Sequence, residues 1–194
     1  MNPLNTILGT IIAGVIVAIL IALGFTPNAL NIWSLAVWLH VFAGIIWIGL
    51  LYYFNFVQVP AMNEAAADSG GPGPAAIGKY VAPKALVWFR WGAVATWLTG
   101  AWALQYVGGF AANFFATNGV TIIGVGAWLG TIMLFNVWVL IWPNQKKVLG
   151  IVQASDDEKA KGKKVAFMAS RTNTLLSIPM LACMVAAGHG GLFI

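Results

Sequence analysis

The stretch 31–59, NIWSLAVWLHVFAGIIWIGLLYYFNFVQV, decides the fold. It holds no Asp, Glu, Lys or Arg and is longer than the ~20 apolar residues that cross a bilayer as a helix. Its one histidine, His40, lies about nine residues in. Four further apolar runs, at about 4–24, 85–108, 119–142 and 166–188, are also long enough to span. The expected architecture is therefore all-α, an integral membrane bundle of about five transmembrane helices forming a single domain over 1–194. The over-long second run is expected to tilt or to continue as helix beyond the lipid.

Composition agrees with this reading. The chain is 60% hydrophobic and only 8% charged, with a mean hydropathy of +0.86, against roughly 45–50% apolar residues in a soluble domain. A net charge of +5 would suggest nucleic acid in a soluble protein. Here every lysine lies in the connections 60–84 and 143–165, where orientation in the membrane explains it and no nucleic-acid partner is implied. By the positive-inside rule both connections and the N-terminus are expected on the cytoplasmic side of a bacterial inner membrane, and the C-terminus on the periplasmic side. The run 4–24 lacks a basic n-region and exceeds a signal peptide's apolar core, so it reads as a retained first span. The single cysteine, Cys183, excludes an intramolecular disulfide, a CxxCH haem attachment and a cysteine-rich metal site.

Turn signals separate the runs at Phe25-Thr26-Pro27-Asn28, at the glycine- and proline-rich 69–74, at Asn118-Gly119 and at Trp142-Pro143-Asn144. Ionisable residues inside the runs are expensive at membrane depth, by ~3 kcal/mol or more, and they sort into two layers. Arg90, Arg171 and Asn136 fall near the lysine-bearing side, with Asn55 and Gln58 close by. His40 and His189 fall in the opposite half. At helical spacing His40, Ala43, Gly44 and Trp47 form one stripe, and Gly44 leaves room for a flat ligand or a close helix.

Each candidate has two readings. His40 is either an axial ligand to haem b, with His189 as a second iron ligand, or a histidine hydrogen-bonded to a neighbouring helix. His189, in Gly188-His189-Gly190-Gly191, is equally a solvated residue at a helix end. Arg90 and Arg171 either hold an anionic group or a substrate, with Asn136 beside them, or extend their guanidinium groups to lipid phosphate. Two inward-facing, adjacent arginines would favour a bound anion, since no acidic residue lies in any span. Most tryptophans fit an interfacial belt, whereas Trp47 and Trp97 lie deeper and are candidates for packing on a cofactor. Gly126-xxx-Gly130 is a close-packing signal.

The stretches Leu39–Gly49 (LHVFAGIIWIG) and Tyr53–Gln58 (YFNFVQ), with WFRWG at 88–92, NVWVLIWPNQK at 136–146 and ASRTNT at 169–174, resemble the N-terminal membrane region of bacterial membrane-bound, cytochrome-c-linked urate oxidases. A histidine ahead of Trp-x-Gly is also similar to bacterial membrane protoporphyrinogen oxidase. The resemblance implies a redox membrane domain in which His40, Arg90, Arg171 and His189 matter. It further implies cytochrome c or other membrane subunits as partners. The family's full-length members carry a larger helical region and a C-terminal cytochrome c domain. This chain has no CxxCH, so urate oxidation would require a separate electron acceptor. The expected function is haem-b-dependent electron transfer. The alternative is a cofactor-free accessory subunit of a larger respiratory or photosynthetic complex.

Overall fold

The computed structural model of the protein describes residues 2–25 and 31–191, so the expected turn at 25–28 lies largely outside the described residues. The chain is all-α, with no strand among the described residues. Helix α1 (Ile7–Phe25) is apolar on every side and has no buried residue, the composition of a helix that meets hydrocarbon all round. Helix α2 (Ile32–Ala67) runs for 36 residues, about 54 Å at 1.5 Å per residue. Asn31 caps it, its side chain accepting from the Ser34 N–H at 2.7 Å. Helix α3 (Ala82–Gln105) returns alongside it, and a short α4 (Phe110–Phe114) leads to α5 (Ile122–Val148) and α6 (Asp156–His189).

Three of these helices, α1, α2 and α5, are long and apolar enough to cross a membrane. Helices α3 and α6 are long enough but less apolar. Lys84 and Arg90 dilute α3, and the first turns of α6 carry Asp156, Asp157, Glu158 and four lysines.

Prolines near the ends of three helical stretches are absorbed without a break. Proline lacks an N–H and its ring crowds the carbonyl four residues earlier. Before each of Pro60, Pro83 and Pro143 the helix widens into a π turn, at Tyr53–Gln58, Ile77–Val81 and Asn136–Ile141. The N–H of Val59, Ala82 and Trp142 then reaches the carbonyl five residues back, at Phe54, Ile77 and Val137. As a result α2 and α5 run on through their prolines, and the connection between α2 and α3 turns irregularly at 68–74.

The helices pack as two antiparallel pairs. In the first, α3 meets α2 at Gly92, where an added Cβ would lie 3.2 Å from Ile46 and 3.4 Å from the Trp47 backbone nitrogen. In the second, Gly126 of α5 lies against Cys183 of α6 at 3.0 Å by the same measure. Hydrogen bonds tie one pair to the other. Tyr52 donates to the Ser177 hydroxyl at 2.9 Å, and Asn55 donates to Ser170 at 2.8 Å. Trp97 donates to Thr131 at 2.8 Å. Between the pairs lie Trp47, Leu51, Phe89, Met133 and Val137, each at most 2% exposed. The bundle thus has a histidine end and a lysine end.

Helix α6 is closed at both termini. Ser155 and Glu158 form a reciprocal capping box, which satisfies two otherwise free N–H groups. At the far end Gly190 takes the left-handed conformation, φ 79°, and the Gly191 N–H reaches the Ala186 carbonyl at 3.1 Å. This places His189 on the last turn.

Candidate functional site

His40 stands in the α2/α3 interface, half-buried. Its Nδ1 lies 2.8 Å from the Thr96 carbonyl oxygen, an acceptor that requires the proton to be on Nδ1. The neutral ring therefore offers Nε2 as its lone-pair nitrogen. The ring rests against Gly100, where a Cβ would come within 2.8 Å of His40 Cε1 and 2.9 Å of Nδ1. Glycine at 100 is a requirement of the imidazole's position. Gly44, one turn along, faces Thr96 with 3.8 Å to its methyl, so the space it leaves is taken by the neighbouring helix.

His189 repeats the tautomer pattern on an exposed turn, its Nδ1 3.0 Å from the Val185 carbonyl. From the Tyr52–Ser177 hydrogen bond, His40 and His189 are each twelve residues, about 18 Å of helix, toward the same end. The two imidazoles share a level in the bundle without touching.

The residues of the other layer separate. Arg90 is 8% exposed. Its guanidinium carbon lies 3.4 Å from the centre of the Trp142 ring, a close cation–π contact. Its Nε and Nη1 are buried and find no hydrogen-bond acceptor among the described residues. Arg171 is exposed, its guanidinium 5.2 Å from the Phe167 ring on its own helix. One arginine faces inward and the other outward. Asn136 is occupied by a structural pair. Its amide donates to Asn173 at 2.8 Å, and Asn173 donates to the Met133 carbonyl at 3.0 Å. Asn173, fully buried, lies within a stretch that carries the family resemblance, yet an asparagine in an apolar run gives no sign of its partner.

Trp47 is buried in the core at 2% exposure with its indole N–H unpartnered, and Trp138 has the same unpartnered N–H. Trp97 is committed to Thr131 and lies edge-on to Phe110. Trp33, Trp38, Trp88 and Trp91 are exposed, as belt residues are, whereas Trp142 is half-buried beneath Arg90. Among the described residues no three His, Cys, Asp or Glu side chains gather as a metal site. The ten residues between Arg90 and Gly100 of α3 correspond to about 15 Å, so the arginine and His40 belong to different places in the bundle.

Residues 102–193 match the family model described as urate oxidase N-terminal. The match contains Asn136, Trp142, Arg171, Asn173 and His189, and begins after His40 and Arg90. No curated protein and no solved structure matches the chain.

Proposed function

We propose that this urate-oxidase-N-terminal-like chain is a haem-b-binding membrane protein that takes part in electron transfer, with His40 as axial ligand. The observation that carries the reading is the hydrogen bond from His40 Nδ1 to the Thr96 carbonyl. Ligating histidines commonly donate their second nitrogen to a carbonyl or carboxylate, which fixes the tautomer and the ring orientation. Gly100 supports the same ring from behind. His189, at the same level and with Nε2 free of the Val185 contact, is the candidate for a second ligand. When bound, haem supplies one-electron redox chemistry. The protein's part is to hold the imidazole and to surround it with apolar helices. The apolar outer faces of α1, α2 and α5 support a site within or beside a membrane, and on this reading the electron acceptor is a separate cytochrome c or membrane subunit.

An absorption spectrum of the purified full chain tests this. A Soret band that shifts on reduction, is lost in His40→Ala and is altered in His189→Ala is the expected result. A colourless wild-type protein, obtained in normal yield from haem-replete cells, would refute it.

A further inference from the structure

We infer that Arg90 anchors a second binding site, for an oxyanion, at the lysine end of the bundle between α3 and the last turns of α5. Arg90 is 8% exposed as a residue, and its Nε and Nη1 are buried and unpartnered among the described residues. Buried charges are ordinarily paired, because an unpaired one loses its hydration without replacement. Among the described residues no acidic side chain pairs with it. The chain's five acidic residues, Glu64, Asp68, Asp156, Asp157 and Glu158, are all exposed, and Asp156 and Glu158 are engaged with Lys159 and Lys147.

A second cation sharpens the imbalance. Lys146 Nζ lies 5.8 Å from the centre of the same Trp142 ring that Arg90 stacks on. One indole thus serves two positive groups, and no carboxylate is paired with either. The ring covers one face of the guanidinium, which leaves its edges for acceptors lying in its plane. The chemistry that answers two buried N–H groups and an uncompensated charge is a carboxylate or phosphate oxygen. Two sources can provide it, the headgroup of an anionic lipid or a soluble anion. The site does not rest on the haem reading, since Arg90 and its Trp142 contact share no residue with the His40, Thr96 and Gly100 contacts.

The test uses the full chain in non-ionic detergent and reads its thermal unfolding midpoint. One arm compares added phosphatidylglycerol with phosphatidylcholine. The other compares inorganic phosphate and acetate with chloride at matched ionic strength. A ligand that binds only the folded state raises the midpoint. The expected result is a rise of a few degrees with phosphatidylglycerol, which identifies a lipid, or with the free oxyanion, which identifies a soluble ligand. The rise should vanish in Arg90→Gln and persist in Arg171→Gln. Should Arg90→Gln not accumulate, Lys146→Gln and Trp142→Leu must each diminish it. No rise in either arm, or a rise of equal size in wild type and the Arg90 variant, overturns the proposal. So does an undiminished rise in either substitute variant.

Discussion

Gly100→Ala is the sharpest test of how His40 is held. The new Cβ would lie 2.8 Å from Cε1 and 2.9 Å from Nδ1 of the imidazole, inside van der Waals contact, so the ring must move. Moving it gives up the hydrogen bond to Thr96, worth about 0.5–1.5 kcal/mol net. Overfilling a packed interface adds about 1–3 kcal/mol. Against this, alanine is the better helix former by about 1 kcal/mol. The net expectation is a loss of about 1–3 kcal/mol. In a His40→Ala background the obstacle is gone, and the same change should stabilise by up to about 1 kcal/mol. The sign reversal is the signature, and the coupling between the two positions should be about 2–3 kcal/mol, within the range for residues in contact. Equilibrium unfolding of all four variants in mixed detergent micelles measures it. A Gly100→Ala variant that is more stable than wild type, or that behaves alike in both backgrounds, would refute the packing argument.

The two glycines of Gly126-xxx-Gly130 should respond oppositely. Gly126→Ala meets Cys183 Cβ at 3.0 Å and Met184 Cε at 3.2 Å and should cost about 1–3 kcal/mol, whereas Gly130→Ala meets nothing and should be neutral or stabilising in the same unfolding assay. Asn173→Ala strands the Asn136 amide and should cost about 1–3 kcal/mol, while Arg171→Ala, two residues away on an exposed face, should stay within about 0.5 kcal/mol. The Glu158 carboxylate is held below its ordinary range, chiefly by the Ser155 backbone N–H and then by Lys147. Its capping contribution is therefore present above the ordinary carboxylate range and is lost as the pH falls through the lowered value. Amide protection factors in the first turn of α6, taken relative to the intrinsic exchange rate at each pH, should fall on acidification in wild type and lose that dependence in Glu158→Gln.

The helical class was legible because apolar runs of membrane length have few other solutions. Depth was legible too, since counting along a helix places Arg90 near the lysines and His40 far from them. Facing was not. Arg90 and Arg171 occupy similar depths, but one stacks inward on Trp142 and the other turns outward, a difference made by neighbouring helices. Asn136 presents the same polar side chain whether it binds a ligand or, as here, Asn173. The acceptor that orients His40 is a backbone carbonyl, which has no signature in a sequence. One proline misled in another way. Trp142-Pro143-Asn144 reads as a turn, but the π turn before Pro143 lets Trp142–Val148 continue as helix, whereas the helical continuation expected of the over-long second run is present at Val59–Ala67.

Those π turns give the bundle an uneven tolerance to changes in chain length. Each holds roughly one residue more than an α turn would, so a single deletion within 53–58 can be absorbed by reverting to α geometry locally. Ile32–Tyr52 and Val59–Ala67 would both keep their seating, because the lost residue is the one the π turn holds in excess. The same deletion near residue 45 would swing His40 off Thr96. The histidine end is therefore strictly indexed along the chain, and the slack is gathered at the lysine end.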